Sequence, residues 1–411
     1  MNTSQPQQLN VVFLPYVAPG HMIPVVDTAR VFARHGANVT IITTHANALT
    51  FQKAIDSDFS RGYCIRTHVL QFPASQVGLP DGVENVKAGT SQEMVYNISL
   101  GISMLQDQIE LLFQDLQPDC FVTDILHTWA VESAAKLNIP RLHFFLSSYF
   151  TSCTTHFIRK HKPHERLASD TQKFLIPGLP HNIEITTLQL EEWVRTKNQF
   201  SDSLGSVYDS ENKSYGALYN SFHEIEGDYE KLYTSTKGIK SWSVGPVSAW
   251  VNRGDEEKAN RGHKEDIAQE SEWLNWLNSK QNESVLYVSF GSLTRLSHGQ
   301  IVEIAYGLED SGHDFILVIR KKDGVGSKEN KIWTSTVDTV VRREEIAKAV
   351  VLLMGSEEES KEMRRKAREL GDAAMKTIEE GGSSYNNLMQ LLDELKSLKI
   401  SRALEKNKLD T

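Results

Sequence analysis

The sequence predicts an α/β protein built on a parallel sheet, followed by a second α/β domain that is short of strands. Three observations carry this. Short β-branched and aromatic runs alternate with amphipathic helical patterns through the first half, the mark of βαβ units. A charged stretch nearly free of large apolar groups, residues 252–272 (NRGDEEKANRGHKEDIAQESE), separates that half from a second βα pattern. The second pattern holds two convincing strands, Ser284–Phe290 and Phe315–Arg320, where an open sheet usually has about 4–6.

Taken in order, Leu9–Tyr16 reads as a strand that ends in the turn Pro19-Gly20. Val25, Ala29 and Phe32 then fall at i, i+4 and i+7, the spacing of an amphipathic helix, which Gly36 stops. Ala37–Ile42 is the next strand, and Gln71-Phe72-Pro73 closes a further one. Gln92–Leu116 reads as one long helix, Cys120–Thr123 as a strand, Trp129–Leu137 as a helix and Arg141–Leu146 as a strand. Residues 151–215 are polar and irregular, a segment suited to loops that shape a pocket. Ala217–Phe222 resumes the strands. His298–Asp310 is helical, and beyond Val341 only helices follow, at Val341–Met354, Lys361–Glu379 and Ser384–Leu398. Domain boundaries follow at 1–245, a linker at 246–280, an incomplete second domain at 281–395 and a tail at 396–411.

The chain has 411 residues, 24% of them charged, and a net charge of −9 with no long basic run. That balance argues against nucleic acid as a partner, since phosphate binding needs clustered Lys and Arg. Three widely spaced cysteines, Cys64, Cys120 and Cys153, favour neither a disulfide framework nor a zinc site. The polar start MNTSQPQQLN lacks the apolar core of a signal peptide, and no apolar run reaches the ~18 residues that span a bilayer. A cytoplasmic protein with no integral membrane segment is therefore expected.

His21 is the first candidate for chemistry. It stands at a strand's carboxyl end and a helix mouth, where open α/β sheets bind ligands. A helix amino terminus also disfavours the imidazolium, leaving a ring able to accept a proton. The bland reading is a polar residue finishing a turn. Asp124, which closes Phe121-Val122-Thr123-Asp124, is the matching carboxylate, or else the cap of the helix at Trp129. Gly291-Ser292, after the strand that ends at Phe290, resembles a phosphate cradle, although such a pair is more often only a turn. There is no GxGxxG after the first strand and no GxxxxGKS, which disfavours a dinucleotide site or a P-loop. His156, His161 and His164 lie in an irregular basic segment, where metal binding is not expected. Trp273 and Trp276 read as core residues.

These residues together resemble the plant family of UDP-sugar-dependent small-molecule glycosyltransferases. The resemblance covers nearly the whole chain. It rests on Pro19-Gly20-His21 with Pro24, Val122-Thr123-Asp124, Asn220–Glu226, Val244-Gly245-Pro246, Trp273-Leu274 with Tyr287–Ser292, and Glu380–Ser384. Within the family it is most similar to legume enzymes acting on triterpenoid saponins. The resemblance implies a GT-B fold, two Rossmann-like domains facing each other, here with the second truncated internally. It implies His21 as the base that deprotonates an acceptor hydroxyl and Asp124 as the residue that steadies its charge. The hydroxyl then attacks the anomeric carbon with inversion as UDP leaves. Gly291 and Ser292 fall where the family contacts the donor's phosphates, and Ser147 where it contacts the donor sugar. The implied partners are a hydroxylated small molecule, such as a triterpenoid or a flavonoid, and a UDP-sugar, with no cofactor and no metal, on a monomer.

The sequence departs from that family in one place. Relatives carry a long donor-binding segment that begins Trp-Ala-Pro-Gln and has a His-Cys-Gly-Trp-Asn-Ser core. Here Phe315–Gly324 runs directly into Val325-Gly326-Ser327-Lys328 and the helical tail. The gap falls where the strand count runs short. Three readings follow: a glycosyltransferase with weak or absent donor binding and a loosened second domain, a non-catalytic acceptor-binding remnant or splice by-form, and a nicotinamide oxidoreductase on a similar fold. The missing glycine fingerprint weighs against the last.

Overall fold

The computed structural model describes residues 8–89, 91–195, 199–252, 254, 267–291, 294, 296–319 and 340–409. The chain divides into two compact units. The first comprises residues 1–88, 96–261 and 372–411, and the second residues 89–95 and 262–371.

The first unit is a doubly wound parallel sheet. Its strands are β1 (Asn10–Leu14), β2 (Asn38–Thr44), β3 (Ile65–Leu70), β4 (Cys120–Asp124), β5 (Arg141–Phe145), β8 (Gly216–Tyr219) and β9 (Lys240–Ser243); β6 (Lys173–Leu175) and β7 (Glu184–Thr186) pair separately as a small antiparallel hairpin. The order is β3-β2-β1-β4-β5-β8-β9, every pairing parallel. Crossovers run one way from β1 to β3 and the other way from β4 onward, so the order reverses between β1 and β4. These two strands pair in the register Val11↔Cys120 to Leu14↔Thr123. Their side chains bury on both faces, as a covered parallel sheet requires: Val11, Val12, Phe13, Phe121 and Val122 are all 2% exposed or less.

Behind β1 runs the helix Pro19–Arg34. Pro19 takes its first position, where a fixed φ suits the helix and a missing N–H costs nothing. Val25, Ala29 and Phe32 face the sheet, and Phe32 meets Phe13 edge-on at 5.3 Å. The segment 151–215, read from sequence as irregular, instead contains the helices Tyr149–His161 and Gln199–Asn212. Thr151, Thr154 and Thr155 hide the first of these, being poor helix formers. Tertiary burial of Cys153, Phe157 and Ile158 and a cap, Ser148 Oγ accepting from Thr151 N at 3.1 Å, outweigh that propensity. His223–Lys237 is also helical, with Tyr229 and Tyr233 turned inward.

The domain boundaries differ most from expectation at the carboxyl end. Sequence pattern puts residues 383–395 with the second domain and 396–411 in a tail, yet Ser383–Leu409 is one helix of the first unit. Leu388, Leu391, Leu392 and Leu395 form a stripe at i, i+3, i+4 and i+7, each 1% exposed or less, in the core that holds Trp242, Val244 and Trp250. Ser384 Oγ donates to Gly245 O at 2.5 Å and Asn387 Nδ2 to Ser243 O at 3.0 Å. Further along, Lys399 Nζ meets Asp119 Oδ2 at 2.8 Å. The expected linker is likewise partly structured. Val247–Val251 is a short helix whose Trp250 donates to Val244 O at 3.0 Å, and Ile267–Asn278 is helical. Residues 253 and 255–266 lie outside the described residues.

The second unit pairs β10 (Val285–Ser289) with β11 (Asp314–Val318) in parallel, register Val285↔Asp314. Leu286, Val288, Phe315 and Leu317 point to one face, where Ile304, Leu308 and Val350 cover them. The opposite face stays open: Tyr287 is 65% exposed and Val318 45%. Parallel strands are ordinarily buried on both faces. Trp273, expected in a core, is 48% exposed, because the apolar cluster of this unit does not reach its helix.

Two outcomes follow. Leu391→Ala should destabilise the first unit by about 2–5 kcal/mol, the cost of a fully buried leucine, read from urea denaturation; a loss near zero would detach the last helix from that core. In hydrogen exchange, amides of β10 and β11 should exchange well before those of β1 and β4, and equal protection would count against an open second sheet.

Candidate active site

The reversal between β1 and β4 places their carboxyl ends side by side, and one sequence candidate stands at each. His21 is the third residue of the first helix, its N–H bonded to Ala18 O at 2.9 Å. Asp124 is the last residue of β4. His21 Nδ1 lies 2.8 Å from Asp124 Oδ2. The carboxylate is fully buried, whereas the His21 side chain keeps 24% of its surface. Asp124 does not cap the helix that follows. Its Oδ1 accepts from Leu126 N at 2.9 Å, closing a tight turn. Both carboxylate oxygens are thus engaged. A carboxylate only accepts, so Nδ1 donates to Oδ2, and in the neutral ring this leaves the lone pair on Nε2. A ring so held can take a proton from a group presented at Nε2.

Further residues gather here that sequence reasoning missed. The Tyr16 ring meets the His21 ring edge-on at 5.3 Å, and its hydroxyl is 2.6 Å from Ser99 Oγ. Burial raises the Tyr16 phenol above its usual range. His127 lies 5.8 Å from Tyr16, ring to ring, and burial pushes its pKa down to about 4. Arg141, 2% exposed at the start of β5, donates its Nη2 to Asp124 O at 3.1 Å. His143, two residues on, is fully buried and held well below the usual histidine range by desolvation. Alternation of Arg141 and His143 inside an otherwise apolar strand was the available signal, since a charged residue in a buried parallel strand needs partners.

The other candidates are dispersed. Ser147 is exposed on the turn after β5, next to the Ser148 cap. Gly291, in the second unit, follows β10 with φ +77°, a conformation glycine adopts at no cost. Ser292 lies outside the described residues. His156 packs edge-on against Phe157 at 5.2 Å and His161 stacks on the same ring. Among the described residues no group of three or more His, Cys, Asp or Glu is arranged to hold a metal ion, and no helix is long and apolar enough to cross a membrane.

Comparison with known proteins defines the class. No protein-family model matches the chain. It is 42% identical to soyasapogenol B glucuronide galactosyltransferase of Glycine max, covering 96% of this chain and 97% of that protein. It is 33% identical to scopoletin glucosyltransferase of Nicotiana tabacum, covering 94% and 98%. The crystal structure of Glycyrrhiza uralensis UGT73P12 complexed with glycyrrhetinic acid 3-O-monoglucuronide superposes with a TM-score of 0.90 at 38% identity, over 98% of this chain and 99% of that one. The fold is therefore that of the GT-B glycosyltransferases, a class of sugar transferases. Within it, the chain belongs to the plant UDP-glycosyltransferases, alongside members numbered in family 73. The alignment to the Glycine max protein runs over 480 positions, more than the 411 residues of this chain, so that relative has residues with no counterpart here.

Two buried neutral histidines have a consequence for stability. His127 binds its proton near pH 4 in the folded protein and near 6.5 once unfolded. Between those values the unfolded chain holds more protons, so stability is complete above pH 6.5 and declines as pH falls toward 4. His143 adds to the same trend. Urea midpoints measured across that interval should drop, and His127→Gln should flatten the slope; an unchanged slope would place the proton uptake elsewhere.

Proposed function

We propose that this chain is built to transfer a hexose, galactose by likeness, from a UDP-sugar to a hydroxyl of a triterpenoid glycoside with inversion. In this reading His21 is the general base and Asp124 its partner. The supporting observation is the 2.8 Å contact between His21 Nδ1 and Asp124 Oδ2 at the strand reversal, with Nε2 left free on a ring that is still accessible. The acceptor O–H gives its proton to Nε2 while its oxygen bonds the anomeric carbon and the C–O bond to UDP breaks, the electron pair leaving with the diphosphate. Asp124 balances the imidazolium that forms. Proton transfer of this kind contributes roughly 10²–10⁴-fold. The acceptor class is supported by one relative whose name carries soyasapogenol B glucuronide and by UGT73P12, whose crystal structure holds glycyrrhetinic acid 3-O-monoglucuronide. Gly291 and Ser292 are assigned to the donor phosphates and Ser147 to the donor sugar, with no metal or cofactor taking part.

Donor affinity is the weak side of this chain. The Trp-Ala-Pro-Gln and His-Cys-Gly-Trp-Asn-Ser sequences are missing between β11 and the helices that follow, and β10 and β11 expose one face. Those features favour a second reading, an acceptor-binding protein with little or no turnover. Calorimetric titration with UDP-galactose should show no micromolar binding, while a triterpenoid glucuronide should raise the melting temperature. Micromolar UDP-galactose binding would restore full activity as the expectation. Any transfer detected by mass spectrometry should fall roughly 10²–10⁴-fold in His21→Ala, and transfer that survives this change would remove the base assignment.

A further inference from the structure

Arg141 is the largest of the fully buried side chains, and it opens the strand next to the one that ends in Asp124. All five of its hydrogen bonds go to neutral oxygens. Nε donates to Thr123 Oγ1 at 2.9 Å; Nη1 to Ser210 Oγ at 3.1 Å and Ser214 Oγ at 2.7 Å; and Nη2 to the carbonyls of Asp124 at 3.1 Å and His127 at 3.5 Å. Three of these acceptors lie on Thr123–His127, the stretch that holds Asp124 and its turn.

A guanidinium taken out of water needs a countercharge. Two carboxylates act on it, Asp124 first and Glu211 second. Glu211 is already engaged by Lys237 at 2.8 Å and Tyr233 at 2.9 Å. Among the described residues the direct partners of the Asp124 side chain are an imidazole and a backbone amide, neither a fixed charge. The remaining groups around the pair, Tyr16, His127 and His143, are held neutral by burial. Arg141 and Asp124 are thus joined through backbone and hydroxyl rather than through a direct ion pair. Burial lowers the guanidinium to about 9, which leaves it charged at neutral pH.

We propose that Arg141 is a positioning residue for sugar transfer: its fork clamps the Thr123–His127 stretch and so holds the Asp124 carboxyl group in place to accept from His21 Nδ1–H. The proposal rests on the His21–Asp124 reading above. It gives the fork a task that Lys would perform only in part, because an ammonium lacks the planar donor array that reaches five oxygens at once.

Imidazole ¹⁵N NMR of His21 tests this without requiring turnover. In the unmodified protein the neutral ring should carry its proton on Nδ1. Asp124→Asn should lower the ratio of Nδ1–H to Nε2–H tautomer roughly tenfold, the worth of a hydrogen bond to a charged acceptor. Arg141→Gln should lower it by a similar factor, and Arg141→Lys should recover part of it. A folded Arg141→Gln protein with a lower melting temperature but an unchanged tautomer ratio would make Arg141 framework only and overturn the proposal. If that variant does not fold, Thr123→Val combined with Ser214→Ala keeps the charge and loosens the clamp; an unchanged ratio there overturns it equally. An unchanged ratio in Asp124→Asn would instead sink the His–Asp reading, so the two failures are distinct.

Discussion

Parallel pairing of β1 with β4 is the contact on which the His21–Asp124 arrangement of the first unit depends. These strands are far apart in sequence and adjacent in the sheet, at the point where the crossovers change direction. The Leu14↔Thr123 register sets which residues meet at the carboxyl ends of the two strands. A slip of one residue would turn every β4 side chain to the opposite face. The 2.8 Å approach of His21 to Asp124 is therefore a consequence of register, and register is fixed by the apolar residues of β1 and β4 that must stay buried.

Beneath that contact the sheet carries a vein of polar groups. Thr123, Asp124, Arg141 and His143 are buried on adjacent strands, with Thr123 opposite His143 in the ladder. Buried polar groups are costly unless hydrogen-bonded. Arg141 meets that requirement with five acceptors, and Asp124 meets it with both carboxylate oxygens. The histidines do not meet it: among the described residues His127 Nε2 and both ring nitrogens of His143 have no hydrogen-bond partner, and a neutral ring only limits that cost. One electrostatic arrangement thus orders the His21–Asp124 pair and ties it to the pH range in which the unit is stable.

The two units differ in how completely they bury their sheets. In the first, Ser383–Leu409 brings its leucine stripe from the far end of the chain to finish the core beside Trp242 and Trp250, and Glu394 holds Lys240 and Tyr215 at its margin. In the second, among the described residues, two parallel strands find helices on one face only. The exposed Tyr287 and Val318 lie in the half of the chain whose strand count runs short in sequence.

Local pattern determined a good deal by itself. Strand and helix alternation announced a parallel α/β sheet, the ends of the first and fourth strands singled out His21 and Asp124, and the strand count exposed the deficit of the second half. Each of these is written in neighbouring residues, as periodicity, turn residues or a motif. Tertiary structure alone decided the rest. Threonine-rich Tyr149–His161 is helical because packing outweighs its propensity, and the last helix belongs to the first unit because its leucines fit a core assembled from residues far upstream. Arg141 becomes part of the site only when β5 pairs with β4, since what a buried charge does is set by the groups that surround it in space, and those are scattered along the chain from Thr123 to Ser214.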